Sequence, residues 1–227
     1  MNLGIIPARL NSKRFPKKIL AEINNKPMVI HTAEKVLESR LLDRVIIAID
    51  DDETYEFIKD FGFEIMMTSN KHKSGTDRVA EVVKEIDGVD VVINIQADEP
   101  FIDSSLIDKL VESFEDSNVK MSTLVSTKLS DDDMRDKNVV KAVLDKDGFA
   151  VDFNRTFGKY KHLGIYGFTK DTLLEFVSLE QSNNECVRKL EQMRALDNNI
   201  KIKSIVTDGD SFSIDTKEDL EKSIGQT

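Results

Sequence analysis

With 227 residues, 40% hydrophobic and 33% charged, the chain is long enough for a substantial core and has an ordinary soluble composition. Its formal net charge of -10 excludes a general nucleic-acid binder, which needs a broad basic face to displace counterions from phosphates. Cys186 is the only cysteine, so no intrachain disulfide or cysteine cage can form; no stretch approaches the roughly 18 apolar residues of a membrane span, and no secretory leader opens the chain. The expectation is a cytoplasmic protein with no membrane insertion.

Residues 3–6 form a short apolar run that predicts a buried strand, and residues 9–18 follow it with five cationic side chains, Arg9, Lys13, Arg14, Lys17 and Lys18. A strand end fixes where such a loop points, so the stretch is a plausible anion cradle, with a nucleoside triphosphate as the proposed anion. A solvated basic loop is the plainer alternative. Pro27 suits the first turn of a helix reaching about residue 39, with Ile30 and Leu37 marking turns. Residues 45–49 are a continuous apolar run ending in Asp50, Asp51 and Asp52, as in a strand covered on both faces. Tyr55, Ile58 and Phe61 then make a helical stripe that Gly62 stops.

A short strand at 65–68 leads into Ser74, Gly75, Thr76, Asp77 and Arg78, with Val79, Val82, Val83 and Ile86 at helical spacing behind them. Ser74 and Asp77 fit a capping box, which spacing alone favours over a ligand contact, although a capped helix start also offers free backbone donors. Residues 89–96 are the most strand-like segment and run into Ala97, Asp98, Glu99 and Pro100. In a doubly wound sheet ligands bind beyond the carboxyl ends of the strands, which puts Asp98 and Glu99 beside the basic loop. Two carboxylates there suit a magnesium ion shared with phosphates; an acidic turn before a helix near 104–114 is the equal alternative.

Residues 119–127 predict another strand, and 131–136 an acidic solvated connector. Residues 139–144 and 149–153, joined at Asp145 to Gly148, read as a β-hairpin with Phe149, Val151 and Phe153 on one buried face. A strand at 164–168 completes a small antiparallel layer whose edge suits a second subunit. Helices follow at 170–177 and, as one segment, 185–198, where Glu191, Gln192 and Arg194 read as surface residues. A strand at 200–206 and a final helix near 218–223 close the chain, with Asp215 and Thr216 as possible caps. Alternating short β and longer α segments imply one α/β domain over 1–227, a mainly parallel twisted sheet flanked by helices, with 138–168 as a small antiparallel hairpin-containing lobe.

Six ordered motifs carry a resemblance over nearly the whole chain. They are Ile6 to Arg9 with Ser12, Arg14 and Pro16 to Lys18; Ser74 to Arg78; Asn94 to Pro100; Lys161 to Tyr166; Leu190 to Arg194; and Ile214 to Thr216. Together they resemble the 3-deoxy-manno-octulosonate cytidylyltransferase (CMP-Kdo synthetase) family. The resemblance implies a homodimeric nucleotidyltransferase of the glycosyltransferase-A-like class, working in lipopolysaccharide biosynthesis. It would transfer CMP from CTP to the anomeric hydroxyl of an eight-carbon ulosonic acid with magnesium, releasing pyrophosphate. By position, Arg9, Ser12, Arg14 and Lys18 would hold the triphosphate, and Ser74, Gly75, Thr76 and Arg78 would lie near the nucleotide. Gln96, Arg155, His162, Tyr166, Glu191 and Gln192 would serve the sugar acid, with 138–168 near that pocket and the dimer interface. Asp98 and Asp215 would hold magnesium, making Lys18, Asp98 and Asp215 the catalytic set.

The chain also departs from that pattern. Lys17 and Ala97 replace glycines, which implies loops that avoid positive φ at both positions. Asn154 and Arg155 replace a serine–arginine pair, and only five residues, 156–160, separate Arg155 from Lys161 where the family has a longer insertion. That shortening leaves CTP use intact and opens the acceptor to a modified ulosonic acid or a nine-carbon sialic-type acid. A catalytically silent nucleotide-binding or assembly protein on the same fold is the alternative from another class, against which the joint presence of Lys18, Asp98 and Asp215 speaks. Lys13 reads as surface charge.

Overall fold

The apolar run at the start forms β1 (Asn2–Ala8), in which Leu3, Ile5, Ile6 and Ala8 are fully buried. The computed structural model describes residues 1–12 and 14–224, and these group into two compact units, Met1–Asp108 with the chain from Ser211 onward, and Lys109–Asp210.

In the first unit a small ribbon of β2 (Glu22–Ile23) and β3 (Lys26–Pro27) precedes helix α1 (Met28–Leu37), which leads to β4 (Arg44–Ile49). Helix α2 (Asp52–Ile58) joins β4 to β5 (Glu64–Met67), and α3 (Gly75–Lys84) joins β5 to β6 (Val91–Asn94). All these pairings with β1 and β4 are parallel: β4 lies on one side of β1, from Leu3 opposite Arg44 to Ala8 opposite Ile49, with β5 beyond it, and β6 lies on the other side. The chain therefore steps outward from β1 to β4 and β5 and returns to β1's far side as β6. The carboxyl ends of β1 and β6 flank the point where strand order reverses, the place where open α/β sheets bind ligands.

Helix α4 (Ser104–Glu112) follows, and β7 (Met121–Ser126) is the central strand of the second unit. Helix α5 (Asp131–Arg135) and the hairpin β8 (Lys141–Leu144) and β9 (Ala150–Asn154) precede β10 (Tyr160–Thr169). β10 runs antiparallel to β7 and to β8. Helices α6 (Lys170–Ser178), α7 (Asn183–Arg188) and α8 (Gln192–Asp197) lead to β11 (Ile202–Thr207), parallel to β7, and α9 (Lys217–Ile224) ends the chain. The expected α/β class, mainly parallel with a small antiparallel hairpin layer, is the one formed. The hairpin expected within 138–168 lies wholly in the second unit.

Four local expectations are corrected. The acidic stretch after Ser130 is helical, because Ser130 and Asp133 form a reciprocal capping box and three aspartates favour the positive end of a helix. The hairpin does not bury alternate residues 149, 151 and 153: Val151 is 55% exposed while Ala150 and Phe153 are buried, since a register shift between Val143 and Leu144 switches the faces. The segment 185–198 is two helices, broken where Lys189 takes a left-handed conformation with φ 55°. Finally, Gln192 and Arg194 are buried rather than on the surface. The Arg194 guanidinium donates to both Glu185 carboxylate oxygens, at 2.8 and 2.6 Å, and lies over the Phe176 ring at 4.7 Å. Periodicity cannot reveal a buried arginine whose partner lies nine residues back.

Removing one member of that pair strands a buried charge. Arg194→Leu is expected to lower unfolding free energy by about 3 kcal/mol, read from the shift in urea midpoint, whereas an effect below about 1 kcal/mol would mean that Glu185 finds water.

Candidate active site

Beyond β1 the chain leaves the sheet at Arg9 and runs as a loop to a single 3-10 turn, Lys18–Leu20. The turn is closed by the Lys18 amide on the Phe15 carbonyl at 3.2 Å and the Leu20 amide on the Lys17 carbonyl at 2.9 Å. Phe15, Ile19 and Leu20 are buried, so apolar seating on both sides of Lys18 fixes where its side chain emerges. Lys17 has φ 55° and ψ 30°, which overturns the expectation that its loop avoids positive φ; Ala97 shows no such value. A lysine therefore sits where glycine would be strain-free, at about 1–2 kcal/mol. Its ammonium pairs with Glu53.

The Lys18 ammonium donates to the Asp98 carboxylate and to Asp215 Oδ1, the latter at 2.9 Å. Burial alone would push its pKa down, but the two carboxylates outweigh that and hold it above the usual lysine value. Arg14 Nη2 also reaches Asp215 Oδ1 at 2.9 Å. Asp98 follows β6, and its carbonyl accepts from the Ile214 amide at 2.9 Å, which pins the 212–216 segment beside it. Ile214 is fully buried against Ile23 and Met28, with Phe101 and Leu220 packed around them. Thr216 caps the last helix through the Asp219 amide at 3.2 Å, and the Asp215 amide donates to Asp219 at 3.1 Å. Thr216 is thus a cap, while the Asp215 side chain faces Lys18.

These groups open on a cleft of about 790 Å³ in the first unit, lined by Arg9, Ser12, Arg14 and Lys18 from the opening loop, Gln96 and Asp98 from the end of β6, and Asp215. Pro7, Asn11, Ile19 and Ala97 complete the lining. Asn11 was not singled out in sequence; its place between Arg9 and Ser12 was the available signal. Lys13 lies outside the described residues. The cleft sits at the carboxyl ends of β1 and β6, and three cations face two carboxylates across it.

Ser74, Gly75, Thr76 and Arg78 are not among the residues lining that cleft. Ser74 and Asp77 make the expected capping box at the start of α3. A Cβ on Gly75 would come within 3.2 Å of Pro7 Cγ, so glycine lets the helix start approach the end of β1. Thr76 is buried and accepts from Asn94 Nδ2 at 3.3 Å. Arg78 is buried and paired with Asp50 at 2.8 Å. Glu99, offered with Asp98 as a second carboxylate, is buried and does not line the cleft.

The other expected substrate residues belong to the second unit. His162 Nε2 lies 3.0 Å from Thr123 Oγ1, and its ring packs against Phe153 and Tyr166 at centroid distances of 4.9 and 5.4 Å. Although the residue keeps some exposed area, this aromatic enclosure buries the ring and pushes its pKa down to about 3. The Tyr166 phenol is pushed well above its ordinary value, by burial and then by the negative charge of Glu191. Gln192 is buried at the start of α8. Arg155 Nη1 donates to the carbonyls of Lys137 and Asn138 at 3.0 and 2.9 Å. Beside it the Lys141 ammonium, pushed below its ordinary value by burial, donates to the carbonyls of Asp136 and Arg155 at 2.7 and 3.1 Å. These bonds tie Arg155, just before the short 156–160 turn, to the connector before β8.

A magnesium ion fits the donor set at the cleft. Asp98 and Asp215 converge on one cationic nitrogen, so a point between them already favours positive charge. Among the described residues no group of three or more His, Cys, Asp or Glu side chains could enclose a metal. Two hard carboxylates suit an ion that takes its remaining ligands from phosphate and water.

Residues 3–202 match the family model described as Cytidylyltransferase. A relative from Thermodesulfovibrio yellowstonii named 3-deoxy-manno-octulosonate cytidylyltransferase is 42% identical, covering 97% of this chain and 96% of its own length. A protein of the same name from Parabacteroides distasonis is 41% identical over 98% of this chain and 96% of its own. The first alignment spans 244 positions against the 227 residues here, so that relative carries residues this chain lacks. Among solved structures, CMP:2-keto-3-deoxy-manno-octonic acid synthetase complexed with CTP superposes with a TM-score of 0.94 at 31% identity, over 99% of this chain and 97% of that one. A glucose-1-phosphate thymidylyltransferase-like structure from Bacillus anthracis, at 17% identity and a TM-score of 0.73, shares the fold.

His162 gives the second unit a pH signature. An unfolded imidazole protonates near 6.5 while the folded one resists until about 3, so its contribution to stability is complete above pH 6.5 and is lost progressively as pH falls toward 3. His162→Gln is expected to flatten the fall in unfolding free energy across that window, measured by denaturant titration; identical acid limbs would show that the ring is not buried neutral.

Proposed function

The chain belongs to the 3-deoxy-manno-octulosonate cytidylyltransferase family, and we propose that the cleft between the ends of β1 and β6 is where it transfers CMP from CTP to that eight-carbon acid, releasing pyrophosphate. The observation that carries this reading is the convergence of Lys18, Asp98 and Asp215, with Arg9 and Arg14 lining the same cleft.

The anomeric oxygen attacks the α-phosphorus, a new C–O–P linkage forms, and the bond to the pyrophosphate oxygen breaks. Negative charge grows on the leaving pyrophosphate and on the nonbridging oxygens. Arg9, Arg14 and Lys18 bind the triphosphate and meet that charge, and Ser12 adds a hydroxyl donor. Because Lys18 emerges from a closed turn with apolar anchors, it needs little reorganisation to act. Much of the acceleration then comes from holding acceptor and phosphate in line. Asp98 and Asp215 would hold magnesium, which when bound supplies Lewis-acid stabilisation and lowers the pKa of the acceptor hydroxyl. The acceptor hydroxyl gives up its proton to water as the new O–P bond forms, and His162, with a pKa of about 3, would be a poor base at neutral pH. We assign His162, Tyr166, Glu191 and Gln192 to hydrogen bonding with the sugar acid, Tyr166 as a neutral phenol.

The same reading includes a cytoplasmic homodimer. Among the described residues no helix is long and apolar enough to cross a membrane, and the exposed Cys186 suits a reducing compartment. The exposed Val151 on β9 supports a subunit contact along the hairpin.

Incubation with CTP, magnesium and 3-deoxy-manno-octulosonate is expected to release pyrophosphate; no release with this or a related ulosonic acid would end the enzyme reading. Asp98→Asn is expected to abolish turnover while CTP binding stays measurable by calorimetry, whereas Lys18→Ala should weaken CTP binding as well. Near-normal turnover in Asp98→Asn would remove that carboxylate from the metal site.

A further inference from the structure

Asp50 does not line the cleft, yet it touches the loop that does. The last register pair of β1 and β4 is Ala8 with Ile49, so Arg9 and Asp50 leave the sheet side by side. From there Asp50 Oδ1 accepts the Leu10 backbone amide at 3.1 Å. The other oxygen, Oδ2, accepts from Arg78 Nη2 at 2.8 Å, and the pair is well buried, with side chains 12% and 4% exposed. Arg78 Nη1 donates in turn to Thr68 Oγ1, whose hydroxyl donates to the Ile49 carbonyl at 2.6 Å.

This chain of bonds begins on α3, crosses the end of β4 and ends on the backbone between Arg9 and Asn11, both of which face the cleft. A buried carboxylate requires a partner, and a buried guanidinium requires one more strongly. The Asp50–Arg78 pair satisfies both, leaving one carboxylate oxygen to fix the point where the loop departs from the ladder.

We propose that Asp50 is a positioning residue for CTP: clamped by Arg78, its carboxylate holds the Leu10 amide and so sets the direction in which Arg9 and Ser12 present their side chains to the triphosphate. Arg78 acts through this clamp rather than by touching the nucleotide. The proposal rests on the cytidylyltransferase reading of the cleft.

The experiment combines backbone hydrogen exchange, which needs no substrate, with steady-state kinetics in CTP and 3-deoxy-manno-octulosonate. Asp50→Asn is expected to speed exchange of the Leu10 amide and to raise KM for CTP about tenfold, the size of one lost hydrogen bond to a charged group, with KM for the sugar acid unchanged. Thr68→Val keeps the carboxylate and removes only the hydroxyl behind Arg78; it is expected to give a smaller change of the same kind, and it decides the matter if Asp50→Asn does not fold. In the folded variants, exchange at Leu10 equal to wild type would overturn the clamp. Faster exchange with an unaltered KM for CTP would overturn the positioning role. A wild-type chain that turns over no CTP would overturn the functional reading and with it the role at the triphosphate, a failure distinct from the other two.

Discussion

One ammonium group gathers the site. Lys18 is nearly buried, and its charge is tenable there because Asp98 and Asp215 both face it. The converse also holds, since two carboxylates directed at one point repel unless a cation lies between them. Residues 18, 98 and 215 are remote in sequence, so each must be delivered by something other than the ion pair. Lys18 comes from a turn closed on Phe15 and Lys17, Asp98 from the end of β6, and Asp215 from a segment anchored by the buried Ile214. Apolar burial and backbone bonds provide the precision, and the charges provide the chemistry.

The parallel sheet decides where this happens. β1 carries neighbours on both sides, and the chain reaches one of them early and the other late, so the loops after β1 and β6 diverge around a crevice. Arg9 and Arg14 bring positive charge into it against a background of net -10, which concentrates the attraction for a polyanion at one place on an acidic protein. Asp50 and Arg78 extend the same logic to the backbone, using a buried pair to hold a loop at the moment it loses its strand partner.

Much of this was legible from residue patterns. The buried strands at 3–6 and 45–49, the capping box of Ser74 and Asp77, and the placement of Asp98 at a strand end beside the basic loop each have a local physical cause that sequence exposes. The role of Asp215 was not local: beside Thr216 it reads as a cap, and only the six motifs in order gave it another meaning. What escaped were features made by tertiary context. Arg194 looks polar and exposed until it pairs with Glu185, and Gln192 gives no local sign of its burial. Val151 alternates correctly until a bulge turns its face outward. Lys17 occupies a left-handed conformation that its residue type argues against, and Asp50 looks like the start of an acidic run rather than the far end of a clamp. Lys17 and Asp50 belong to the segments that set the cleft loop, where function tolerates strain and buried charge, whereas Arg194, Gln192 and Val151 lie in the second unit.

As proposed, Lys18, Asp98 and Asp215 form one metal-and-triphosphate centre. A crystal structure of the chain with CTP and magnesium tests it most directly. The expected result has both carboxylates coordinated to the metal, with Arg9 and Lys18 on the phosphate oxygens. A triphosphate bound away from the ends of β1 and β6, or a metal held without either aspartate, would contradict it.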